Sequence, residues 1–144
     1  MPTAGDIKKA LKQAGLEVYR TRGDVVYLAD RVRENLLMDA ATFLRAGRED
    51  VRVGFVVRAQ RSDFPSEGED ALFHRARQAA ASAVEAGYRE TSAEVRKVLD
   101  PGTGERTLDT WCEVTFEKDA GDVDASIAEA RFALAIEKVA AAAR

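Results

Sequence analysis

Residues 100 to 107, DPGTGERT, set a proline and two glycines ahead of a basic residue and a hydroxyl, the ingredients of a phosphate cradle. A nucleotide P-loop needs G-x-x-x-x-G-K-S/T between a strand and a helix, so that backbone N–H groups and the helix N-terminus point at the phosphates. Here Leu99 stands where the first glycine belongs, Glu105 follows Gly104, and the next segment has strand character. A dinucleotide fingerprint fails because Thr107 takes the place of its third glycine and no helix follows. The stretch reads instead as a reversal: Asp100 and Pro101 start a turn, and Gly102 and Gly104 accept the angles that complete it.

The other reactive side chains are isolated. His74 is the single histidine and falls on a polar helix side with Asp70, Arg77, Gln78 and Glu85, with no partner positioned for acid-base work. Cys112, the single cysteine, lies on an apolar strand face and forms neither an internal disulfide nor a Cys-rich zinc site. The acids Asp63, Glu67, Glu69 and Asp70 miss calcium-loop spacing, with Pro65 at a ligand position and His74 at the twelfth place. Asp119, Asp122 and Asp124 miss it too, with Val123 intruding, and Asp122 or Asp124 suits helix capping. Arg22-Gly23-Asp24 spells an integrin-binding tripeptide, but Gly23 is in the place a tight turn requires. No catalytic residue, metal or cofactor is expected.

Binding residues stand out more. Trp111 alternates with Asp109, Glu113, Thr115 and Glu117, so the one tryptophan sits on the polar face of its strand, open to a partner unless a helix, or an arginine such as Arg96 stacking on the indole, covers it. In the last helical stretch Phe132, Ile136 and Val139 form a core stripe, while Ile127 and Leu134 form a second stripe that suits a dimer or another protein. Arg52 and Arg58 are the candidates for meeting an anionic small ligand in a pocket between sheet and helices.

Composition bounds the rest. The 144 residues suit one domain, and 46% hydrophobic with 33% charged residues is the balance of a globular chain. A net charge of -3 gives no general attraction to nucleic acid or anionic membrane. The N-terminus, MPTAGDIKKALKQAG, has neither signal-peptide nor membrane-span character, and a cytoplasmic location is expected.

The elements that position these residues follow from periodicity. Asp6 caps a short helix carrying Ile7, Ala10, Leu11 and Ala14 and ending at Gly15. LEVYRTRGDVVYLA is a β-hairpin with Leu16, Val18, Val25 and Tyr27 on one face. From Asp30 to Gly47, Val32, Leu36, Ala40 and Phe43 predict a helix. VRVGFVVRAQ, residues 51 to 60, alternates as an interior strand. A loop closing in a Ser66/Glu69 capping box leads to a helix over Glu69 to Ala86. Residues 88 to 99 and 106 to 118 form a second hairpin, apolar through Ala93, Val95 and Leu99 on one strand and Leu108, Cys112, Val114 and Phe116 on the other. A helix from about Asp122 to Ala142 ends the chain. The order α-β-β-α-β-α-β-β-α is a single α+β domain, a largely antiparallel sheet with helices packed on it.

With IKKALKQAG as opening helix, LEVYRTRGDVVYLA as first strands, a middle helix, a second hairpin and a terminal helix, the chain resembles class I type III secretion chaperones and related small adaptor domains. It departs from them at Asp30 to Gly47, where that family lacks so long a helix. The resemblance implies a noncatalytic, homodimeric protein-binding domain that holds a protein segment against a sheet edge or apolar patch. The alternative is a small-ligand binder or enzyme recognising an anion.

Overall fold

A computed structural model describes residues 1–141. The elements are α1 (Ala4–Gln13), β1 (Val18–Arg22), β2 (Val25–Arg33), β3 (Leu36–Ala46), β4 (Val51–Gln60), α2 (Glu69–Ala79), α3 (Ala81–Glu85), β5 (Arg89–Leu99), β6 (Thr107–Asp119), α4 (Val123–Leu134) and β7 (Val139–Ala140). The fold is α+β, built on a seven-stranded sheet in the order β1-β2-β3-β4-β6-β5, with β7 beside β4. The chain forms two compact units, Met1–Phe55 with Glu117–Ile136, and Val56–Phe116 with Glu137 onward.

In the first unit, Thr3 rather than Asp6 caps α1. Its Oγ1 accepts from the Asp6 N–H at 3.1 Å while Asp6 Oδ2 accepts from the Thr3 N–H at 3.0 Å, a reciprocal capping box. The helix ends in a Schellman turn: Gly15, at φ 78°, donates to Lys12 O and Leu16 donates to Leu11 O. This delivers the chain directly into β1. The β1–β2 hairpin forms as expected around Gly23 (φ 61°), but its core face is Val26 and Leu28, both fully buried, rather than Val25 and Tyr27. A one-residue shift in pairing reverses the faces of a strand, and the bulge between Val18 and Arg20 makes such a shift in β1.

The helix expected over Asp30 to Gly47 is not there; the segment is the end of β2, a turn, and β3. Val32, Leu36, Ala40 and Phe43 fit a helical template, but Ala40, Thr42 and Leu44 fit alternation equally, and pairing on both sides of β3 decides the outcome. Val26, Leu44 and Val53 line up across three strands as one buried row. The reverse face carries Tyr27, Phe43 and Gly54 in the next row. A Cβ on Gly54 would come within 2.7 Å of the Phe43 ring and 2.9 Å of Glu117 Cγ, so only glycine fits.

The terminal helix is shorter than its pattern. Asp122 caps α4, accepting from the Ala125 N–H at 2.8 Å, and the helix stops at Leu134. Its buried face is Ser126, Ala130 and Ala133, small side chains that permit close approach, so Phe132 is left 40% exposed rather than in the core. Val139 belongs to β7, and residue 142, where that helix was expected to end, lies outside the described residues.

In the second unit, Val57 and Ala59 are fully buried, as alternation requires, and β7 runs parallel to β4 through Arg58↔Val139 and Ala59↔Ala140. The expected helix over Glu69 to Ala86 breaks at Ala80 into α2 and α3 and turns out at Gly87 (φ 102°). The Ser66/Glu69 capping box does not form; Gly68 is the N-cap and no side chain caps it. The β5–β6 hairpin is present, but its apolar face is one-sided. Cys112, Val114 and Phe116 are buried, whereas Ala93, Val95, Leu99 and Leu108 are exposed. No described helix is long and apolar enough to cross a membrane.

Candidate functional site

The residues singled out in the sequence are mostly engaged inside the protein. In the 100–106 turn, Asp100 Oδ1 accepts from the Gly102 N–H at 2.8 Å and Gly104, at φ 69°, donates to Asp100 O at 2.7 Å. The turn thus satisfies itself. Trp111 Nε1–H donates to Asp109 Oδ2 at 3.0 Å, and the guanidinium of Arg58 lies 3.9 Å above the indole centroid. Arg58, not Arg96, covers the tryptophan; Arg96 is paired to Glu113 at 2.5 Å. Arg52 is 3.6 Å from Glu117, a carboxylate that also receives Arg45 at 2.8 Å. Arg45 and Arg52 are cross-strand partners, so buried Glu117 holds two like charges together.

Asp109 is the polar anchor of the 61–68 loop. Burial works to raise its carboxyl, but hydrogen bonds from the Ser62 hydroxyl and N–H, the Thr110 N–H and the Trp111 indole outweigh that and hold it below the usual carboxylate range. His74 is exposed on α2. Burial pushes the Cys112 thiol up, away from the reactive thiolate. Ile127 and Leu134 are half-buried on α4. Among the described residues no group of His, Cys, Asp and Glu is placed to hold a metal ion.

One surface combines open backbone, apolar side chains and unspent charge. It is a groove of about 530 Å3 in the first unit, between α1 and β1, lined by Lys8, Lys12, Leu16, Val18, Tyr19, Arg20 and, from β3, Leu37. Lys8 and Lys12 are one helical turn apart on α1, and the Schellman turn at Gly15 brings β1 in beside them. Glu17 also lines the groove, but Arg31 Nε donates to it at 3.0 Å, so the remaining formal charge is positive. Neither Lys8 nor Lys12 has an ion-pair partner among the described residues; Arg20 rests 4.9 Å over the Tyr27 ring.

β1 is an outer strand of the sheet, and no described strand pairs with its far side. Tyr19, at the bulge, is exposed on this edge. The sequence pattern missed the groove because its parts read separately as ordinary features: two lysines on a solvated helix face and a short hairpin strand. The available signal was the brevity of the Gly15 link, which leaves helix and strand adjacent.

Comparison with protein-family profiles, curated proteins and solved structures finds no match to the chain.

Proposed function

We propose that this chain is a noncatalytic protein-binding domain of the chaperone or adaptor kind, which takes an extended segment of a partner along the free edge of β1. The observation that carries this is the coincidence of an unpaired strand edge with a groove containing Leu16, Val18, Tyr19 and Leu37. Strand addition draws affinity from main-chain hydrogen bonds and specificity from pockets for alternate side chains, and the edge and groove offer both. The groove lining supplies binding groups: backbone, apolar surface, and the cations Lys8, Lys12 and Arg20. A chain of net charge -3 with this local excess of cations selects segments that alternate acidic and apolar residues.

The segment 30–47 supports the chaperone-like reading, because the long helix on which the chain parted from that family is absent. The small-anion alternative is less well supported, since Arg52 and Arg58 are held by Glu117 and Trp111 respectively.

Selection from a displayed library of random linear peptides tests the proposal. Binders enriched in alternating acidic and apolar residues are expected, and the Lys8→Glu/Lys12→Glu variant should bind them about tenfold more weakly or worse, near 1.4 kcal/mol. Failure to select any binder, or binders indifferent to both lysines, would overturn it.

A further inference from the structure

The distal half of the β2–β3 hairpin is a two-stranded ribbon. β1 reaches β2 only as far as the Ala29 N–H, which donates to Glu17 O, and β4 pairs with β3 only from Thr42 onward. Between these limits, Asp30 to Ala41, each strand is paired only with the other among the described residues. A lone two-stranded ribbon is marginal in water. This one also exposes apolar surface at its end: Val32 is 54%, Leu36 45% and Met38 52% accessible.

The register arranges the tip in a specific pattern. Asp30 is opposite Met38, and the irregularity between Arg31 and Arg33 brings Arg33 opposite Leu36. Leu36 and Met38, two apart on β3, share a face. That face therefore carries two successive pairs, Asp30 with Met38 and then Arg33 with Leu36. Asp30 and Arg33 are exposed, and neither has an ion-pair partner among the described residues.

We infer that this face is an interface with a second copy of the chain. A twofold axis lying across the ribbon sets Asp30 of one copy over Arg33 of the other, twice, and Met38 over Leu36, twice. Acid meets base and apolar meets apolar at every position, the self-complementarity an isologous contact requires. Most unrelated partners would match the apolar pair but not the order of the charges. The inference is independent of the groove between α1 and β1.

Sedimentation equilibrium on the full chain tests it through a charge swap, with circular dichroism confirming the fold of each variant. The wild type is expected to dimerise. Asp30→Arg creates two Arg–Arg contacts and should weaken the dimer about tenfold or more; Arg33→Asp creates two Asp–Asp contacts and should do the same. The double variant Asp30→Arg/Arg33→Asp restores opposite charges across the axis and should return the dissociation constant close to the wild-type value. A monomeric wild type, single variants that dimerise normally, or a double variant as weak as the singles would each overturn the inference.

Discussion

The two outer strands, β1 and β5, meet the exposure of a sheet edge in different ways. β5 is 11 residues long, almost wholly exposed, and offers the longer run of unpaired backbone. Three of its charges, however, are tied down: Glu90 to Arg77 at 2.7 Å, Arg96 to Glu113 at 2.5 Å, and Lys97 to Thr110 Oγ1 at 3.2 Å. Charged side chains fixed along an edge are a standard defence against pairing with another chain. β1 has only 5 residues and a bulge, yet it lies beside a groove with apolar walls and lysines that have no ion-pair partner among the described residues. The lesson is that edge length does not decide which strand accepts a partner. What flanks the edge does.

The comparison holds only while the sheet interior keeps both strands in place, so the largest effect is expected at its tightest point. Gly54→Ala forces a methyl group against Phe43 and Glu117 Cγ, and should destabilise the fold by about 1–3 kcal/mol in urea denaturation. A neutral result would mean that the rows on either side of Gly54 are loosely packed, and that β1 is less firmly positioned than the groove requires.

A smaller effect sharpens the contrast from the β5 side. Asp109 ties the 61–68 loop to β6, next to β5, through Ser62, Thr110 and Trp111. Asp109→Asn should cost about 1–2 kcal/mol near neutral pH, toward the low end of the roughly 1.5–3 kcal/mol for hydrogen bonds to a charged group, because the asparagine amide oxygen still accepts some of them. Because the folded protein holds this carboxyl below its ordinary range, its contribution is complete above about pH 4 and is lost as pH falls through the lowered value. The stability gap between wild type and variant should therefore narrow in acid. A gap unchanged with pH would show that the charge on Asp109 is not what anchors the loop.

Parts of the fold were plain in the sequence because one period alone fitted them. Val51, Val53, Phe55, Val57 and Ala59 alternate without a helical competitor, and all are fully buried. The turn at 100–106 followed from the conformational needs of Gly104. Residues 30–47 were misread because alanine and leucine serve helix and strand alike, and the deciding hydrogen bonds come from β2 and β4, distant in sequence. That error also hid the ribbon: Asp30, read as the start of a helix, is a strand residue opposite Met38. Trp111 was placed correctly on the polar face, but its cover comes from Arg58 on a different strand, which no local pattern could indicate. The groove was illegible for a similar reason, since it needs Leu37 from β3 to complete its wall.

Amide hydrogen exchange, with and without a selected acidic-apolar peptide, tests the central claim most directly, because it reads both edges in one experiment. Newly slowed exchange is expected at backbone N–H groups within Val18–Arg22, with Arg89–Leu99 unchanged. Protection confined to β5, or binding that leaves the β1 amides exchanging as before, would contradict the assignment of β1 as the accepting edge.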